Sequence, residues 1–189
     1  MLLDDTGVNI LTALKRCMNA RPFLRRLHDR PQTGLGILFD AAYYGRAYRG
    51  PLPPLAHFIA VGAFEGANPH PLFDPAFYLR KYPDVAASGV NPLFHYLLHG
   101  AAEGRKPHPL FQPDYYVAQR PEAAGAPLLH FLAAGEAQRG NPHPLFDCRC
   151  YLRGRLGAHP HASLNPLVDF VMRGPSAVVE GCQYGQGAA

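Results

Sequence analysis

The sequence predicts an all-α fold: a solenoid-like array of about four short helical-hairpin repeats behind an N-terminal capping helical segment. Three observations predict it. Landmarks recur at a near-constant period: Phe39-Asp40, Phe73-Asp74, Phe111-Gln112 and Phe146-Asp147 are spaced by 34, 38 and 35 residues. Periods of 20–50 residues mark repeat architectures. Helix-start signals recur inside every period. Finally, 20 Pro and 19 Gly punctuate a chain that is still 48% hydrophobic and 11% aromatic, a combination that implies many short packed elements rather than disorder.

The N-terminal segment, residues 1–33, carries Ile10, Leu11, Leu14, Cys17, Met18, Phe23, Leu24 and Leu27 at helical spacing, with a break expected at Arg21-Pro22. Its apolar face is expected to cover the open end of the array. The array itself is read over 34–178, in units near 36–70, 71–107, 108–142 and 143–178, and 179–189 is read as a flexible tail.

The unit Pro71–Arg105 gives the logic of each element. Asp74 offers a side-chain acceptor to unpaired first-turn N–H groups, and Pro75 suits the first helical position because its missing donor is not needed there. Pro83 is expected to stop this helix after about two turns, since the residue before a proline is pushed out of the helical region. Asn91-Pro92 repeats the starting device, and Gly100 is expected to end the second helix in a left-handed cap. A Tyr follows each landmark Phe by five positions (Tyr44, Tyr78, Tyr116, Tyr151). Pro-Leu pairs at 54, 92, 127 and 166 are each followed by His57, His95, His130 or Asp169, and Gly62, Gly100, Gly135 and Gly174 close the segments. Such short helices are unstable alone, so packing between neighbours must hold them. The last unit departs from the pattern over Gly154–Leu164 and reads as a terminal cap.

Charge and cysteines narrow the function classes. Of the net charge of +4, +3 lies in residues 1–30, where six basic residues face three acidic ones; the remainder carries 12 basic and 11 acidic residues. No concentrated basic face is available for nucleic acid, although the basic N-terminus suits contact with an anionic membrane surface. No apolar stretch reaches the ~18 residues of a membrane span. Asp4, Asp5, Lys15 and Arg16 argue against a secretory signal, and a cytoplasmic location, peripheral to the inner membrane, is expected. Cys17, Cys148, Cys150 and Cys182 do not follow the period, so reduced thiols are expected, with Cys150 simply buried.

Ten histidines raise the question of metal. His57, His95 and His130 share one repeat position and His70, His108 and His143 another. Equivalent residues on packed helices lie about 8–10 Å apart, whereas zinc needs nitrogens at about 2 Å. Each imidazole is therefore expected to bond a backbone group of its own or the next turn. His95 and His99 share a helix face but have no third ligand at a recognisable spacing. For catalysis, an Asp-x-Asp signature and GxSxG are both absent, and Gly34–Gly36 lacks the rest of a dinucleotide fingerprint. The expectation is no cofactor, no metal and no enzyme activity. Tyr43, Tyr48, Tyr82, His99 and Tyr115 are the candidate contacts for a protein partner or a glycan, because aromatic faces serve both.

Residues Tyr82–Tyr116, YPDVAASGVNPLFHYLLHGAAEGRKPHPLFQPDYY, resemble the NPDVAxAGxNPLxHYLxxGxxEGRxPxPLFD type of repeat. That repeat accompanies bacterial glycosyltransferases of surface-polysaccharide assembly and occurs in some large secreted calcium-binding proteins. The resemblance spans about Leu38 to Arg173 and is closest in the second unit. It implies a scaffold for protein–protein interaction with a glycosyltransferase as partner, and carries no transferase domain with it. Alternatives are a glycan-binding module, an accessory subunit of a glycosyltransferase completed by another chain, and a calcium-responsive surface protein.

Overall fold

Proline and glycine set the boundaries of the helices in the computed structural model, which describes residues 10–28, 34–134, 140–156, 165–174 and 182. The described residues are predominantly helical and contain no β-strand. The first helix, α1 (Ile10–His28), runs straight through Pro22 where a break was expected. A proline inside a helix costs roughly 3 kcal/mol, but Pro22 faces solvent while Ala20 and Leu24, on either side of it, pack on a cluster containing Ile59 and Phe94. Packing on both sides of the proline holds the two turns in one helix.

Two one-to-two-turn helices follow, α2 (Leu35–Leu38) and α3 (Ala41–Ala47), and α3 starts where Asp40 accepts from the N–H groups of Ala42 and Tyr43. Helix α4 (Pro54–His57) continues directly into a π-helical turn, Phe58–Gly62. In the second repeat, Asp74 caps α5 (Pro75–Lys81) by accepting from Phe77 N–H at 2.8 Å. Pro83 does end α5, but it also occupies the first position of a further helix, α6 (Pro83–Ser88). This repeat is thus three helices rather than a hairpin: the proline that terminates one helix supplies the fixed φ that starts the next. Asn91 then caps α7 (Pro92–His95), which again runs into a π-turn, Tyr96–Gly100.

The third and fourth repeats contain α8 (Pro113–Gln119), a 3₁₀ turn at Pro121–Ala123, α9 (Pro127–Ala133), α10 (Cys148–Leu156) and α11 (Pro166–Arg173). Asn165 caps α11, whereas Gln112 makes no side-chain cap to α8. The chain divides into two compact units, Met1–His99 and Gly100–Ala189, a boundary that falls inside the second expected repeat at its π-turn.

One set of rings is built four times over. The landmark Phe, the Tyr five residues on and the aromatic residue after the His/Asp position form a triad: Phe39, Tyr44 and Phe58; Phe73, Tyr78 and Tyr96; Phe111, Tyr116 and Phe131; Phe146, Tyr151 and Phe170. The Tyr ring meets the last ring edge-on in every repeat, at 84°, 87°, 89° and 83° with centroids 5.5–5.9 Å apart. Such pairs contribute about 0.5–1.5 kcal/mol beyond their area. Their chain positions are fixed by α3, α5, α8 and α10 on one side and by the helix after each Pro-Leu on the other.

Gly62 and Gly100 do not take the left-handed cap conformation; the described positive-φ glycines include Gly66 and Gly104, four residues later, and Gly174. A side chain at Gly62 would overlap the Tyr44 hydroxyl. That glycine therefore provides room for a ring rather than a turn. Gly135 lies outside the described residues.

Candidate functional site

Beneath the surface, each repeat Tyr hydroxyl meets the side chain two residues after Pro-Leu. Tyr44, Tyr78 and Tyr116 share hydrogen bonds of 2.8, 3.0 and 2.8 Å with Nδ1 of His57, His95 and His130. The partner of Nδ1 is a side chain, which adds to the backbone bond expected from sequence a contact the sequence does not signal. The contact has a steric cause: the Tyr points from the first helix of the repeat onto the second, so its hydroxyl arrives where the imidazole stands. In the last repeat Tyr151 donates to Asp169 Oδ2 at 2.7 Å. In the other three repeats the direction goes with the tautomer: an imidazole protonated on Nε2 accepts from the hydroxyl at Nδ1, and one protonated on Nδ1 donates to it.

Burial of the Tyr44 hydroxyl, aided by nearby Tyr48 and Glu65, pushes it up to about 12. Burial also raises Tyr151, and its bond to the Asp169 carboxylate raises it further. For Asp169 burial alone would raise the carboxyl, but bonds from Tyr151 and Arg173, with Arg155 contributing, outweigh it and hold Asp169 below the ordinary value. Arg173 lies at 2.8 Å and Arg155 at 3.4 Å.

The turn histidines do bond backbone. His70, His108 and His143 accept through Nδ1 from the N–H two residues on, those of Leu72, Leu110 and Leu145, at 3.1–3.2 Å. Burial, with Lys106 nearby, lowers the pKa of His143. His95 and His99 lie with ring centroids 5.7 Å apart. Among the described residues no three His, Cys, Asp or Glu side chains converge in a cluster able to hold a metal ion.

Two of the five candidate contacts share an open groove of about 450 Å³ in the N-terminal unit. Tyr43 and Tyr48, from α3 and its C-cap, line it together with Arg46, Glu65 and Asn68. Tyr48 lies flat on the His57 imidazole, centroids 3.8 Å apart and planes 16° from parallel, and its hydroxyl accepts from Leu52 N–H at 3.1 Å. Gly50 lies against the same ring, where a Cβ would come within 2.5 Å of the hydroxyl. Tyr48 is a held wall of the groove. Tyr43 is half-buried; burial raises its hydroxyl pKa, and a bond to Asn68 and the charge of Arg46 temper the rise. The groove thus offers aromatic surface, a cation, a carboxylate and an amide, a set able to hold hydroxyl-rich or peptide ligands.

No protein-family model matches this chain, and no curated protein and no solved structure matches it either. Its site must be read from its own geometry.

The other candidates lie apart from this groove. Tyr82, at the α5–α6 junction, packs on Tyr78 at 4.8 Å, with Lys81 Nζ 6.0 Å from its ring centroid. His99 is exposed in the second π-turn. Tyr115 belongs to the C-terminal unit, where its carbonyl accepts from Gln119 Nε2 at 3.0 Å. Arg46, Glu65 and Asn68 have counterparts in other repeats, Arg80, Glu103 and Asn141, and the period gives no means of telling which copy lines a groove.

The cysteine expectation is overturned. Cys150 and Cys182 form a disulfide across 32 residues of sequence, and Cys148 is a buried cysteine outside that bond, its Sγ donating to Gly140 C=O at 3.7 Å. Irregular spacing hid the pair because neither partner belongs to the repeat: Cys150 stands in the aromatic position next to Tyr151, and Cys182 comes from the tail read as flexible. The rest of 179–189 lies outside the described residues.

Proposed function

We propose that this chain is a non-catalytic scaffold whose repeats form a solenoid-like array for protein–protein interaction. What supports it most is that the same backbone bond closes two of the repeats, the units near 36–70 and 108–142, from their first helix to their last turn. Asp40 N–H donates to Pro69 C=O at 2.9 Å, and Gln112 N–H donates to Pro142 C=O at 2.8 Å. A closure made twice by main-chain atoms at equivalent positions marks the two segments as copies of one structural unit, the building block of a repeat array. The recurring Tyr, His and Asp side chains are committed to each other inside the repeats, so partner contact falls to exposed residues such as Arg46 and Glu65.

The proposed partner is a glycosyltransferase of bacterial surface-polysaccharide assembly, on the strength of the resemblance in Tyr82–Tyr116. Copurification with the tagged chain tests it: a transferase recovered at stoichiometric level is expected, and its absence across several extraction conditions would overturn the reading. No described helix is long and apolar enough to cross a membrane. The Cys150–Cys182 bond favours work in an oxidising compartment over the cytoplasm expected from the N-terminus.

A second reading, a glycan-binding module, is supported by the Tyr43–Tyr48 groove with its neighbouring Arg46, Glu65 and Asn68. Calorimetry with the host's own polysaccharide separates the two: saturable heat that disappears when Tyr43 is changed to Ala favours the glycan reading, and none at millimolar sugar ends it.

A further inference from the structure

A second cavity, of about 350 Å³, lies in the N-terminal unit between α1, the Phe58–Gly62 turn and the segment leading into α7. Its volume is at the small end of the ~300–1,000 Å³ found for small-molecule sites. Ala20, Ile59 and Phe94, all buried, and Val90 give it an apolar wall. Four polar residues line it as well: Ser88, whose hydroxyl is spent on Val85 C=O and Val90 N–H, the exposed Asn19, and two that bring donors, Asn91 and Arg16.

The first is Asn91, only 6% exposed. Its Oδ1 is spent on capping α7, accepting from Leu93 and Phe94 N–H at 3.0 and 3.4 Å, while its Nδ2 is buried with no hydrogen-bond partner. A buried amide donor left unsatisfied costs about 1–3 kcal/mol, so its retention calls for a reason. The last repeat shows what the same amide does elsewhere: Asn165 Nδ2 donates to Phe131 C=O of the preceding repeat at 3.4 Å. The carbonyl equivalent to that of Phe131 is Phe58 C=O, which the π-turn gives to Ala63 N–H at 3.0 Å. Asn91 Nδ2 makes no bond to that carbonyl and is left without a partner at the place where the cavity opens.

The second donor is Arg16. Its guanidinium carbon stands 4.0 Å from the centroid of the Phe64 ring, and Nη1 donates to Ala60 C=O at 3.2 Å. Stacking occupies a face of the guanidinium and one in-plane donor is used, out of five that the group carries. A cation held over a ring and a donor-only amide, set in an apolar wall, match one ligand chemistry: an acceptor-only anion on an apolar body.

We propose that this cavity binds a small apolar carboxylate of the medium-chain fatty acid class, its chain against Ile59, Phe94 and Val90 and its carboxylate served by Asn91 and Arg16. This site is independent of the Tyr43–Tyr48 groove and of the scaffold reading.

Calorimetry on the full chain with octanoate, and with octanol as the uncharged analogue, tests it. One octanoate per chain is expected, with octanol bound about tenfold more weakly or worse. Asn91→Asp keeps the capping oxygen and replaces the donor by a like charge; Arg16→Gln removes the cation. Each should weaken octanoate by about tenfold or more, and Arg16→Gln should also narrow the gap to octanol. No binding of octanoate up to about 10 mM overturns the proposal. So does octanoate binding that neither substitution weakens, because the carboxylate would then be held elsewhere. Circular dichroism checks that each variant is folded, and if Asn91→Asp is not, the Arg16→Gln result decides alone.

Discussion

At the scale of single residues, the last repeat shows how one substitution in the pattern recruits others. His57, His95 and His130 each share one hydrogen bond with a repeat Tyr hydroxyl. Asp169 carries charge and is 9% exposed, and a buried carboxylate without partners would be costly. Arg155 and Arg173 supply the compensation, and Arg155 stands at the position that Tyr48 and Tyr82 hold in the first two repeats. A pH prediction follows from the lowered pKa of Asp169. Its contribution is fully present above the unfolded value of about 3.9 and is lost as pH falls through the lower folded value. In urea titrations, wild type should exceed Asp169→Asn by about 1.5–3 kcal/mol at pH 7, with the gap shrinking below pH about 4. A gap unchanged at pH 3 would contradict the assignment. Tyr44 works in the opposite sense: its raised value favours the folded state below pH 10, and that support is lost between pH 10 and about 12.

At the scale of elements, sequence rules located most helix starts because each rests on a local device. Asp40, Asp74, Asn91 and Asn165 cap helices as their residue types require. The stops were less legible. Pro22 did not break α1, since packing of Ala20 and Leu24 outweighs a local penalty, and Pro83 both ended α5 and began α6. The π-turns at Phe58–Gly62 and Tyr96–Gly100 carried no signal, and the third and fourth repeats build the same triad on α9 and α11 without one. Gly62 and Gly45 separate steric need from helix propensity. Gly62→Ala would press on the Tyr44 hydroxyl, whereas nothing lies within 4 Å of a Cβ at Gly45 in the middle of α3. Gly62→Ala should lower stability by about 1–3 kcal/mol, while Gly45→Ala should raise it by up to about 1 kcal/mol. Thermal melts of the two variants moving in the same direction would refute this account of the glycines.

At the scale of the whole molecule, the period of the Phe and Pro-Leu marks made the helical class legible, because repetition multiplies weak local signals. The candidate site was only partly legible: Tyr43 and Tyr48 share a groove, but Arg46, Asn68 and the Cys150–Cys182 bond depend on contacts that no period encodes. Closing a loop of this length by a disulfide contributes about 3–4 kcal/mol in the chain-entropy picture. Alkylation of the chain in its native cells, followed by mass spectrometry, should find Cys150 and Cys182 protected until reductant is added, and reduction should lower the melting temperature. Free, alkylated Cys150 and Cys182 would return the chain to a reducing compartment. The central claim is that the buried Phe, Tyr and His or Asp side chains build the repeats while the exposed residues of the groove hold the partner. The most direct test compares partner recovery by two variants: Arg46→Glu with Glu65→Arg, which alters the groove rim, and Tyr116→Phe, which removes one internal hydroxyl. The rim variant should lose the copurifying transferase with an unchanged melt, and Tyr116→Phe should keep it with a stability lower by about 1 kcal/mol; retention by the rim variant, or loss by Tyr116→Phe while still folded, would contradict the claim.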